Sequence, residues 1–473
     1  MNEQSSASFL DRTLRNLRNT WRDIAASASG RGDGALRPDL PEDDADELRA
    51  RMRDCLEARG GEASGRARAA VIGRAYLELD ETGRQRFLRI LADDFATDAG
   101  SVDAAVEGLR GAKGSVERGA AERALATALQ APRVKLLTQF NTLPEGVKFL
   151  VEMRADLLAF AKVDAALHGL ESDLKGLLAS WFDVGFLELR RITWDAPATL
   201  LEKLIAYEAV HAIRSWDDLK NRLDSDRRCF AYFHPCMPEE PLIFVEVALL
   251  SGLADNILTL LEETTPVGDP GGADTATFYS ISTAQKGLAG ISFGNFLIKG
   301  VIDMLTAEFK RLKTFATLSP VPEFRTWLDA ALAAGDDGLL NPSERKFLDA
   351  RTNAAEGGDK LKLLLETPDW HRNAAVADAL RAPMMRLCAC YLVREKRNSG
   401  GALDPVAHFH FSNGARIERL NWLADRSTKG IAQSGGIMVN YLYRLSRIED
   451  YHEAYSDAGK VALSPAIKTL LKG

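Results

Sequence analysis

The sequence predicts a two-part chain, an all-α helical bundle followed by a mixed α/β domain. Three observations predict it. From about Asp44 to Ser180, apolar residues recur at three- and four-residue intervals between charges, in a stretch rich in Ala, Leu, Arg and Glu. Near Phe182 the composition changes, and β-branched and aromatic runs appear. The length of 473 residues accommodates roughly two to three domains of ~150 residues each. The expected division is 1–43 for a peripheral helix and linker, 44–182 for the bundle and 183–473 for the α/β part.

Each element follows from a local pattern. Phe9 to Arg18 is amphipathic and arginine-rich, but Glu3, Asp11 and Asp23 weigh against a mitochondrial presequence, so a short peripheral helix is expected. A Gly-, Asp- and Pro-rich linker follows from Ser29 to Asp44. Glu47 to Arg59, Gly65 to Asp80 and Val147 to Leu167 read as amphipathic helices, with Gly60-Gly61 and Pro144 as stops. No acid–base constellation occurs there, so packing, oligomerisation or a lid is the expected role. Beyond Phe182, Cys229 to Phe233, Leu242 to Leu249 and Phe278 to Ser282 read as strands. Ala407 to Phe411 is expected to be another strand, turning at Asn413-Gly414 into Arg416 to Trp422.

Composition excludes several classes. A net charge of −7 argues against general nucleic-acid binding, which favours a basic surface. The five cysteines are odd in number and lack zinc spacing, and Cys388 and Cys390 lie in an apolar helix-like run. A reducing cytoplasm is the simplest expectation. No run of 18 apolar residues suits a membrane span.

Thr277 to Lys310 carries the first functional signal. A strand meets Gln285-Lys-Gly-Leu-Ala-Gly290, and Ile291, Leu297, Ile298, Val301, Ile302, Leu305 and Phe309 follow at helical spacing. Unpaired N–H groups and a helix N-terminus would make an anion site, although the same residues also fit an ordinary tight turn. The Gly-Lys-Ser/Thr ending of a P-loop is absent. The remaining pattern, Gln-x-x-Gly-x-Gly, resembles the one with which the GNAT acetyltransferase superfamily wraps the pyrophosphate of coenzyme A.

Two further groups are candidates for chemistry. His408 and His410 are two apart, which on a strand puts both on one face. A metal would need a third ligand, and none has suitable spacing. A core histidine and an acid–base catalyst both remain open. Ser319 stands before Pro320, which biases its backbone to an extended form. Its hydroxyl is either rigidly presented or simply part of a turn.

Several segments together resemble the malonyl-CoA decarboxylase family. They are Phe278 to Ser282, Gln285 to Gly290, Gly294 to Lys299, Leu318 to Pro322, Pro383 to Cys388, Pro405 to His410, Asn421 to Asp425 and Asn440 to Tyr443. The resemblance implies a helical N-terminal domain joined to a GNAT-like catalytic domain. It implies a Ser319–His410 catalytic pair, with Ser280 and Tyr443 shaping the site. It also implies that Ala289, Gly290, Ile291, Ser292, Phe293, Gly294 and Asn295 hold the pantetheine and pyrophosphate of the substrate, together with Ser319 and His410. Ser292 departs from the animal members, which carry an acid there. The implied reaction releases CO2 and acetyl-CoA through an enolate and uses no cofactor or metal, because the thioester carbonyl itself accepts the electron pair. A homo-oligomer, dimer or tetramer, is implied as well. The alternative is a GNAT-type acyltransferase using the same CoA cradle.

Overall fold

A computed structural model of the chain describes residues 17–25, 35–57, 61–291, 296–335, 338–349, 358–398 and 400–472. These residues group into two compact units. One comprises the described residues up to Glu188 together with Phe233–Leu242 and 283–291. The other comprises Leu189–Tyr232, Ile243–Ser282 and the described residues from 296 onward.

The first unit is helical, as the three- and four-residue spacing predicts. Its helices include Glu42–Leu56, Gly61–Glu78, Glu81–Asp93, Pro132–Asn141, Gly146–Phe160 and His168–Trp181. The expected helix from Val147 to Leu167 ends earlier, at Phe160, and a short 3-10 turn covers Ala165–Leu167. Aromatic rings fill the centre of this unit: Phe149 meets Trp21, Phe140 and Tyr76 at centroid distances of 4.8, 5.2 and 5.7 Å. Trp21 is fully buried and donates from its indole nitrogen to the Pro144 carbonyl at 2.9 Å. The described part of the N-terminal helix, 17–25, thus buries one face, with Leu17, Trp21 and Ala25, while Asn19, Thr20, Arg22 and Asp23 are exposed. The rest of the expected peripheral helix, up to residue 16, lies outside the described residues.

The second unit is built on a mixed sheet. Among the described residues its strands are β1 Glu188–Ile192, β2 Arg227–Phe233, β3 Ile243–Leu250, β4 Thr275–Thr283, β5 Thr314–Thr317, β6 Ser319–Pro320, β7 Arg416–Asn421, β8 Met438–Leu442 and β9 Ala462–Leu463. They lie in the order β1-β2-β3-β4-β5-β8-β7-β9, with β6 also pairing to β8. β2 and β3 are antiparallel, whereas β4 and β5 are parallel, with Phe278 beside Thr317. β2 and β3 are buried along nearly their whole length, which explains their continuous apolar runs. One face of the sheet packs Ala248, Tyr279, Leu318 and Met438 against Ile257 and Leu260. The alternate residues, Phe278, Ser280 and Thr317, point to the other face.

One expected strand is a helix. Pro405–Ser412 is α-helical, opened by Asp404, whose carboxylate accepts from the Ala407 N–H at 2.9 Å. Asp at the cap and Pro at the first position are a strong helix start. Gly414, at φ +74°, ends the segment in the left-handed region, so Asn413-Gly414 terminates a helix instead of joining two strands. The run Ala-His-Phe-His-Phe alternates in polarity, but tertiary burial and the cap decide its form. The strand expected after it exists as β7.

Candidate active site

Ser319 begins β6, where the chain leaves β5 through Leu318 and pairs with Val439 of β8. Its hydroxyl lies 2.9 Å from Thr317 Oγ1 and 3.0 Å from His410 Nε2. His410 reaches it from the last turn of helix Pro405–Ser412. The other ring nitrogen, Nδ1, lies 2.8 Å from the Tyr443 hydroxyl. Tyr441 stacks on the imidazole, with centroids 4.4 Å apart and planes inclined by 25°. Serine, histidine and tyrosine thus form one chain of hydrogen bonds, and both ring nitrogens are engaged.

The helix changes what the two histidines do. At ~100° per residue, positions two apart diverge instead of sharing a face. His408 turns to the Tyr455 hydroxyl at 2.8 Å, and His410 turns inward to Ser319. Their different partners make them two separate groups and not a ligand pair.

Burial sets the electrostatics. His410 is 2% exposed, and desolvation pushes its pKa down to about 3, so the imidazole is neutral at neutral pH. Burial likewise pushes the phenols of Tyr441 and Tyr443 well up. At the start of the same helix, burial raises Asp404 to about 6 against the N–H groups that bond it. The cluster is therefore a buried, uncharged hydrogen-bonded path. Such a path is highly sensitive to any charge placed beside it, because screening by water is lost.

The remaining predicted residues divide into three sets. Ser280 lies on β4, fully buried, and donates to the Glu208 carboxylate at 2.9 and 2.8 Å. Ala289, Gly290 and Ile291 belong to the turn of the helical unit, while Ser292, Phe293, Gly294 and Asn295 lie outside the described residues. The turn is docked tightly on helix Gly146–Phe160. A Cβ at Gly287 would lie 1.8 Å from the Val151 carbonyl oxygen, and Arg154 donates to the Gly287 carbonyl. Ala289 and Gly290 are exposed, and Gly290 holds φ at +73°, which favours glycine. The expected helix after the turn runs Phe296–Glu308.

Sequence reading missed four residues. Thr317 accepts from the Tyr441 N–H at 3.1 Å as well as meeting Ser319. Asn440, fully buried, donates to the Thr317 carbonyl at 2.7 Å and so braces the strand carrying Ser319. Tyr441 was accessible in principle, since Tyr441 and Tyr443 alternate on one strand face. Glu208 carries no local signal at all.

A mixed α/β domain with a buried serine–histidine–tyrosine chain of hydrogen bonds is the arrangement that the comparisons with known proteins meet. Residues 185–473 match the family described as malonyl-CoA decarboxylase C-terminal domain, and residues 95–182 match the malonyl-CoA decarboxylase N-terminal domain. The mitochondrial malonyl-CoA decarboxylase of Anser anser anser is 39% identical over 405 residues, covering 82% of this chain and 80% of that protein. The rat counterpart is 36% identical over 463 residues, covering 93% and 90% respectively. The crystal structure of malonyl-CoA decarboxylase from Rhodopseudomonas palustris matches with a TM-score of 0.82 at 43% identity, over 90% of this chain and 99% of the other. That from Agrobacterium vitis matches with a TM-score of 0.80 at 42% identity and the same coverage. The chain belongs to the malonyl-CoA decarboxylase family.

Proposed function

We propose that this chain converts malonyl-CoA to acetyl-CoA and CO2, with Ser319 and His410 as the acid–base pair. Family membership supports the substrate and the carboxy-lyase reaction. The observation that carries the residue roles is the buried Ser319 Oγ to His410 Nε2 contact of 3.0 Å, with Nδ1 engaged by Tyr443.

The chemistry follows from the neutral imidazole. A substrate carboxylate beside His410 favours the protonated ring, because an opposite charge in a dry site offsets the desolvation that holds the pKa near 3. Binding thus brings in the proton that catalysis needs. The bond between the carboxylate carbon and C2 then breaks, its electron pair moves into the thioester as an enolate, and CO2 leaves. His410 returns its proton to C2, directly or through the Ser319 hydroxyl, and the imidazole is neutral again. One proton is consumed per turnover, and no metal or organic cofactor enters the reaction.

Within the same proposal, the segment from Ala289 to Asn295 holds the pantetheine and pyrophosphate. The exposed backbone of Ala289 and the left-handed Gly290 support this role. The proposed enzyme is a cytoplasmic homo-oligomer that binds neither nucleic acid nor membrane. No helix among the described residues is long and apolar enough to cross a membrane. Incubating the pure protein with malonyl-CoA and no acceptor tests the activity. Stoichiometric CO2 and acetyl-CoA are expected; free CoA or no product overturns the reading in favour of an acyltransferase or a binding protein.

A further inference from the structure

Glu208 breaks several local rules at once. It is 7% exposed and follows helix Ala198–Tyr207 directly, at the end where the helix dipole disfavours an anion. Among the described residues no cation pairs with it. Its carboxylate accepts instead from the Ser280 hydroxyl at 2.9 and 2.8 Å, from the Ser282 hydroxyl at 3.1 Å, and from the Val210 and His211 N–H groups at 2.8 and 2.7 Å. Violations of this kind concentrate at functional sites.

The register shows what Ser280 faces. Phe278 of β4 lies beside Thr317 of the parallel strand β5. Two residues further on, Ser280 and Ser319 occupy the same sheet face as that pair. There the strands part: β4 runs on to Thr283, while the other chain turns to pair Ser319 with Val439 of β8. Open sheets bind ligands beyond the carboxyl ends of parallel strands. Ser280 and Ser319 therefore lie on either side of the point where the strands part, and the Phe278 ring meets the Tyr443 ring at 6.4 Å.

We propose that the malonyl group enters an opening at this divergence, and that Glu208 is a positioning residue that orients it through Ser280. A serine hydroxyl has one proton, and Glu208 takes it, so Ser280 offers the opening only oxygen lone pairs. A substrate carboxylate is repelled at that end and is directed to the end held by Ser319 and His410. The proposal rests on the assignment of the carboxylate to the serine–histidine pair. Without Glu208, malonyl-CoA binds in both orientations, one of which cannot react.

Wrong-way binding has a kinetic signature that a merely structural role lacks. In Glu208→Gln the amide can donate to Ser280 and turn its proton toward the opening. There kcat and KM should fall together by about tenfold, with kcat/KM little changed. Ser280→Ala should reproduce the effect, and the double variant should show one loss and not the product of two. Unchanged kcat, a fall in kcat/KM with steady or raised KM, or multiplying losses would overturn the proposal. If Glu208→Gln fails to fold, Ser280→Ala carries the same kinetic test without altering charge. Wild-type turnover in Ser319→Ala and His410→Asn would instead sink the serine–histidine assignment, a different result from a silent Glu208→Gln.

Discussion

The α/β unit buries two polar clusters that solve the same problem in opposite ways. Around Ser319, the serine and Thr317 hydroxyls, an imidazole and the Tyr443 phenol bond one another with no formal charge. Behind β3, Arg222 donates to Asp218 at 2.9 Å and to Glu246 at 3.0 Å, and all three are buried. Burial pushes Glu246 up to about 8, although Arg222 opposes it. The ionic cluster spends its hydrogen bonds on fixing the helix Trp216–Arg222 to the sheet. On the proposed mechanism, the neutral cluster takes up a proton when the substrate carboxylate arrives. On that mechanism, the ion pairs of Arg222 serve as scaffold and the neutral cluster of His410 as machinery.

The largest effect expected from this contrast is on turnover. His410→Asn should lower kcat by ~10²–10⁴-fold, the usual worth of a positioned acid–base group, with melting temperature little changed. Ser319→Ala should cost a similar amount, and the double variant no more than the worse single one, as for groups acting as a unit. Wild-type turnover in His410→Asn would reduce the neutral cluster to scaffold as well.

A second measurement sharpens the role of neutrality. Titration of Ser319→Ala with malonyl-CoA, by calorimetry in buffers of different ionisation enthalpy, should register uptake of about one proton per site. Acetyl-CoA, which lacks the carboxylate, should register none. Equal values for the two ligands would mean that the substrate carboxylate does not protonate His410.

The smallest expected effect is on the pH dependence of stability, where the clusters act with opposite sign. His410 has a folded pKa near 3 against 6.5 when exposed, so the unfolded chain binds more protons between those values. Its contribution is present above 6.5 and lost as pH falls toward 3. Glu246 has a folded pKa near 8 against 4.5, so its contribution is present below 4.5 and lost as pH rises through 8. Melting curves of Glu246→Gln should show a shallower loss on the alkaline side, and His410→Asn a shallower loss on the acid side. His211, held near 4 by burial, keeps part of the acid slope in either variant. Identical slopes in both variants would erase the distinction between the clusters.

Much of this architecture was legible from residue patterns. Helical spacing marked the first unit, and the apolar runs at Cys229, Leu242 and Phe278 marked three buried strands. Ser319 was singled out by its proline neighbour, and it does lie in extended backbone. The misreading at Ala407 to Phe411 has a definite cause. Alternating polarity over five residues fits a strand, and Asp404-Pro405 was the competing helix signal. Glu208 was invisible because its partners, Ser280 and Ser282, lie more than 70 residues away.

The sequence by itself determined the two-part organisation and the family, and it singled out Ser319 and His410 as candidates. Those properties depend on local spacing and on short segments in order. Only the tertiary structure decided that His410 is helical, neutral and held between Ser319 and Tyr443. That result depends on side chains 91 and 33 residues apart meeting where water is excluded. Protonation follows burial, and burial is a property of the packed chain and not of any stretch within it.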